Sequence, residues 1–105
     1  MTIEGIKEQK IDMETILNEI QEERIRQLKL WGNEADDLNT RNDWAAYICK
    51  YVADGAYSER EKRFSEDNFR QCLIKAGALC VAAIEAIDRL GKLPQTEIQK
   101  HLNRG

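Results

Sequence analysis

Apolar residues at Met13, Ile16, Leu17, Ile20, Leu28 and Trp31 recur at the three-and-four spacing of one helix face. This predicts a first amphipathic helix over residues 12–31, with Asp12 as N-cap and Gly32-Asn33 as its stop signal. Residues 33–42 are polar and acidic and read as a loop. A second helix is expected from about Asp43, because Thr40-x-x-Asp43 offers capping side chains and Trp44, Tyr47, Ile48, Tyr51 and Val52 repeat at helical spacing. Its end falls somewhere between Gly55 and Arg63. Ser65 is the next N-cap, with Glu66 and Asp67 in the first turn where negative charge suits the helix dipole. The third helix then runs to Leu90, where Gly91 can adopt the left-handed closing conformation and Pro94 blocks continuation. A short fourth helix over residues 95–102 has only Ile98 and Leu102 to anchor it.

The middle of the third helix, residues 76–84, has no polar side chain on any face for more than two turns. Such a helix must be covered all round, either as the centre of a monomeric bundle or by another subunit. So few helices leave much of it uncovered, so a homo-oligomer through the third helix is the expectation. With one Pro and six Gly, turn signals are too sparse for a sandwich or barrel. The fold class is therefore all-α: a small bundle of three main helices plus a short C-terminal helix, oligomeric. At 105 residues it forms one domain, its core over about residues 12–91.

Composition narrows the function. The chain is 42% hydrophobic and 33% charged, too apolar for disorder, and no apolar run approaches the length of a bilayer span. The first ten residues lack the apolar stretch of a secretory signal, and the expected location is cytoplasmic. With 16 Lys and Arg against 19 Asp and Glu and no block of like charge, neither a nucleic acid nor a membrane is the expected partner. Cys49, Cys72 and Cys80 are odd in number and lack metal-ligand spacing. They read as reduced thiols that mostly serve as small core residues. Trp31 and Trp44 read as core anchors, and His101 as a surface side chain.

Two stretches resemble something specific. Residues 20–32, IQEERIRQLKLWG, are similar to the ERxRQxxKWG opening of phage-type MazG-like proteins, relatives of the all-α nucleoside triphosphate pyrophosphohydrolases. Residues 73–86, LIKAGALCVAAIEA, resemble their LVQVAAVAVAWIEA helix, and WAAYI at residues 44–48 resembles the start of the intervening one. Together the similarity spans residues 16–89. It implies a dimeric or higher helical bundle with a nucleotide pocket between the second and third helices and magnesium held there. Active members carry Glu-Glu-x-x-Glu on the second helix and Glu-x-x-Asp on the third, since hard divalent cations need clustered carboxylates. The matching positions here are Lys50, Tyr51, Asp54, Cys72 and Lys75, and only Asp54 is acidic. At neutral pH the formal charge of the constellation moves from about −5 to about +1, which repels magnesium.

The resemblance thus implies a nucleotide site without a metal, a cofactor or catalytic residues. Lys50 and Lys75 would meet the phosphates that magnesium bridges in active members. Around them, Tyr47, Tyr51 and Tyr57 offer faces for a base, and Arg60, Arg63 and Arg70 offer forks for phosphate. The simpler alternative for this balanced stretch is a solvated, salt-bridged surface, and for Glu19, Glu22 and Glu23 it is ordinary helix pairing with Arg26. The expected function is a non-catalytic, phage-encoded nucleotide-binding protein. It would sequester a nucleotide or cyclic-nucleotide messenger as a counter-defence sponge. The alternatives are an altered magnesium-dependent pyrophosphohydrolase using Asp54 and first-helix carboxylates, and a helical adaptor that binds a host protein.

Overall fold

In a computed structural model, which describes residues 2–57 and 65–95, the chain folds into α1 (Ile3–Asp37), α2 (Arg41–Tyr57) and α3 (Glu66–Leu90), with no strand among the described residues. The all-α class expected from the periodicity is what forms. The proposed fourth helix lies outside the described residues beyond Gln95.

Side-chain caps set the boundaries. Asp43 N–H donates to Thr40 Oγ1 at 3.1 Å and Thr40 N–H donates to Asp43 Oδ2 at 2.9 Å, a reciprocal box that starts α2 at Arg41. Ser65 Oγ accepts from Asn68 N–H at 3.1 Å, and Gly91 closes α3 at φ 75° with its N–H on the Ile87 carbonyl. α1 departs from expectation at both ends. Thr2 caps it far upstream of Asp12, its Oγ1 accepting from Gly5 N–H, and no breaker interrupts the following turns. Gly32 does leave helical geometry, at φ 74° and ψ 171°, a conformation that a side chain disfavours. It redirects the chain instead of ending it, because helical bonding resumes and runs to Asp37. The loop expected over residues 33–42 shrinks to residues 38–40.

Both α1 and α2 pack on α3, and their backbones do not approach one another. The core is Trp44, 3% exposed, with Leu79, Ala82 and Ala86, flanked by Ile48, Tyr51, Ala83 and Leu93. Small residues allow these close approaches. A Cβ on Gly55 would lie 2.8 Å from the Cβ of Cys72 and 3.1 Å from the Phe69 ring, and one on Gly77 would lie 3.2 Å from Ile20 Cδ1. Gly55→Ala should therefore push α2 off α3 and destabilise the bundle by about 1–3 kcal/mol, the usual cost of an overpacked methyl. A denaturant midpoint equal to wild type would refute that.

Four side chains read as core from sequence lie outside the buried set. Cys49 and Cys80 are exposed, Cys72 is half-buried against Gly55, and Trp31 is half-exposed where the chain turns at Gly32. On α3, Ala78 and Ala82 are enclosed within the chain itself, whereas Leu73, Val81, Ile84 and Ile87 stay exposed. The all-round apolar helix is covered on one side only.

Candidate functional site

Since α1 and α2 meet only through α3, a cleft of about 480 Å³ opens between the redirected end of α1 and the length of α2. Trp31, Ala35 and Asp36 form one wall, with Asn39 from the connecting loop. Trp44, Tyr47, Lys50, Tyr51 and Asp54 form the other, a helical repeat of positions that α2 presents on one face. Leu79 of α3 is the floor. The resemblance implies a pocket between the second and third helices. This cleft lies between the first and second, with α3 beneath, because Gly32 carries residues 33–37 across to form the opposing wall.

An ionic network holds that wall. Arg24, 5% exposed, donates from Nε to Glu85 Oε1 at 2.7 Å and from Nη2 to Asp36 Oδ2 at 3.0 Å. Beside it Arg89 pairs with Asp37. A guanidinium this deeply buried needs both partners, since desolvating an unpaired charge costs several kcal/mol. The segment after Gly32 is thus tied to the body of α1 through Asp36 and to α3 through Asp37. Asp36 also brings no uncompensated charge to the cleft, because Arg24 offsets it.

Arg24 does not stand out among the candidate site residues in the sequence, although its phase on α1 marks it. Ile20, Arg24, Gln27 and Trp31 follow one another at spacings of four, three and four, so Arg24 and Gln27 stand at core-facing phase. A charged side chain at such a phase announces a buried pair.

A second polar cluster joins α1 to α3. Glu23 accepts from Arg26 Nε at 2.8 Å and Nη2 at 2.7 Å, and from Gln27 Nε2 at 3.3 Å. The Arg26 guanidinium, hydrogen-bonded to Glu23, holds its carboxyl below the usual carboxylate range, with Gln27 and the nearby Lys75 charge acting in the same direction. A lowered carboxyl pKa stabilises the fold above the ordinary carboxylate value, and that contribution disappears as pH falls through the lowered one. Wild type should therefore lose stability on acidification below about pH 4 more steeply than Glu23→Gln, as thermal melts across that range would record. Equal slopes would show that Glu23 contributes no pH-dependent stability.

The expected ligand residues divide into groups. Tyr47, Lys50, Tyr51 and Asp54 all line the cleft. Lys75 does not line it; its Nζ stands 5.9 Å from the centroid of the Tyr51 ring, the range of a cation–π contact. Arg70 is engaged by Glu19 of α1 at 2.6 Å, and Tyr57, 79% exposed, stands outside the lining. Arg60 and Arg63 lie outside the described residues.

Four aromatic side chains, Trp31, Trp44, Tyr47 and Tyr51, thus share one cleft with one ammonium and one carboxylate besides Asp36. Lys50 makes no ion pair among the described residues. Trp44, at the wall, has a buried indole N–H that meets no acceptor among the described residues. Of the first-helix carboxylates, Glu19 and Glu23 are each paired with an arginine. Among the described residues no three His, Cys, Asp or Glu side chains gather as a metal-holding group. Such a cleft can stack a flat ring, neutralise one anionic group and accept one hydrogen bond. Comparisons with family models, curated proteins and solved structures found no match for this chain.

Proposed function

We propose that the cleft between α1 and α2 binds a nucleotide and leaves it intact. The observation that carries this reading is the lining itself: Trp31, Tyr47 and Tyr51 around about 480 Å³, together with Lys50, which makes no ion pair among the described residues. That volume lies within the usual range for small-molecule sites, and aromatic faces stack any base. Lys50 supplies the cation for a phosphate, and Asp54 an acceptor for a sugar hydroxyl or an exocyclic amine. Hydrolysis through a divalent cation would need several free carboxylates together, whereas here Asp36 is neutralised by Arg24 and Lys50 adjoins Asp54. Membership in the MazG-like group is part of the proposal and rests on the three matched stretches.

Within it, the protein acts by sequestration in the cytoplasm, as a phage-encoded sponge for a nucleotide or cyclic-nucleotide signal. Among the described residues no helix is long and apolar enough to cross a membrane. The exposed Leu73, Val81, Ile84 and Ile87 on α3 support a homo-oligomeric contact through that helix. A charge at Ala78 or Ala82 would disrupt the chain's own core, so Ile84→Glu is the variant that tests this contact. The enzyme reading keeps one foothold, Asp54. Release of pyrophosphate from nucleoside triphosphates that Asp54→Asn abolishes would put that reading first. Titration of nucleotides into the protein by calorimetry, with and without magnesium, decides between them.

A further inference from the structure

The first four turns of α1 leave the bundle. Residues 3–18 are exposed apart from Gly5, and their apolar side chains range from 42% exposed at Ile16 to 74% at Ile3. The first ties between this helix and α3 are Glu19 with Arg70 and Ile20 against Gly77. A free helix of this length is marginal in water, because nucleation is costly and only packing of an apolar face repays it.

Its sequence supplies that face in another form. Ile3, Ile6, Lys10, Met13, Leu17 and Ile20 alternate at spacings of three and four without a break, which is the a/d seam of a coiled coil. This seam leaves the flanking positions e at Lys7 and Glu14. When two such helices run antiparallel, e faces e, so Lys7 of each copy meets Glu14 of the other. The same register lays Ile6 on Leu17 of the second copy and Lys10 on Met13 of the second copy, each contact made twice across the twofold axis. It also brings each Ile3 to Ile20 of the second copy, where the bundle begins. The overlap therefore uses the whole arm, about 27 Å at 1.5 Å per residue, and keeps the two bundles at opposite ends.

We propose that two copies of this chain associate through residues 3–20 as an antiparallel helical pair, held by the a/d seam and oriented by two Lys7–Glu14 pairs. A parallel pair would set Glu14 against the uncharged Gln9 and leave Lys7 without a complement, so charge selects the antiparallel arrangement. Lys10 at a single a position marks the register, the use that such a residue commonly has. This inference stands apart from nucleotide binding, since the cleft lies on residues 31–54 and Leu79.

Sedimentation of the full chain tests it, in wild type and in the Ile84→Glu background, so that a contact through α3 does not mask the arm. Wild type should dimerise at micromolar concentration and lose helicity on dilution below the dissociation constant. Met13→Glu should weaken the dimer by roughly a hundredfold, as burial of an unpaired charge at two symmetric sites requires, while the bundle's own melting transition persists. The charge variants decide the direction. Lys7→Glu and Glu14→Lys should each dissociate more readily alone, pair with one another by roughly tenfold or more over self-pairing, and recover wild-type behaviour when combined in one chain. A chain that stays monomeric at high micromolar concentration would overturn the proposal. So would association that Met13→Glu leaves unchanged in both backgrounds, or charge variants that show no preference for each other.

Discussion

Replacing Arg24 with Met should destabilise the protein by about 3–5 kcal/mol, the usual consequence of leaving a buried charge without its partner. Asp36 would keep its carboxylate in a site nearly closed to water, and Glu85 would lose its only ion pair among the described residues. Because Asp36 fastens the segment after Gly32, the loss should reach the cleft wall that carries Trp31 and Ala35, and ligand binding should fail along with stability. Arg24→Met combined with Asp36→Leu should recover much of the stability, since a buried pair exchanged for apolar groups is often neutral. Arg89→Met is the comparison. Its pair with Asp37 is about one-third exposed on each side and screened by solvent, so its loss should cost far less than that of Arg24. Equal denaturation midpoints for the Arg24 and Arg89 variants would show that the buried network does not hold this wall.

The second large effect concerns Lys50. Lys50→Glu puts a carboxylate where a bound phosphate would lie and should reduce nucleotide affinity by more than the roughly 1.5–3 kcal/mol of one lost charged hydrogen bond. Tyr51→Ala should cost about 1–3 kcal/mol through lost stacking. Lys75→Glu should act more weakly than Lys50→Glu, because Lys75 reaches the cleft only by way of the Tyr51 ring. Lys29→Glu, on an exposed turn of α1 outside the lining, is the control. Isothermal titration on folded variants measures all four. Should Lys75→Glu outweigh Lys50→Glu, the phosphate lies between α2 and α3 and the cleft is not its site.

Much of the fold was legible because local chemistry decides it. Thr40 and Asp43 cap α2, and Ser65 and Gly91 bracket α3, through contacts of a few residues' range that a sequence displays. α1 was harder to bound. Its first nine residues carry only Ile3, Ile6 and Ile11 as large apolar side chains, and they are helical without packing on α3. Gly32 was recognised as a break, but whether a break ends a helix or bends it depends on what the following residues meet. Asp36 and Asp37 meet Arg24 and Arg89, partners 12 and 52 residues away. That same long-range pairing sets the cleft. Four of the seven ligand residues that fall within the described segments line it, all on α2, where a single helix face fixes their common direction. The opposing wall was out of reach of periodicity, and with it Trp31, which spacing assigned to the core and the turn at Gly32 leaves at the opening.

Binding without turnover is tested most directly by calorimetric titration of the full chain with mono-, tri- and cyclic nucleotides, in magnesium and in chelator, followed by recovery of the ligand. The expected result is saturable binding of at least one nucleotide, unchanged when divalent cations are removed, with the ligand recovered intact. No binding of any nucleotide, or binding that requires magnesium and returns a cleaved product, would contradict it.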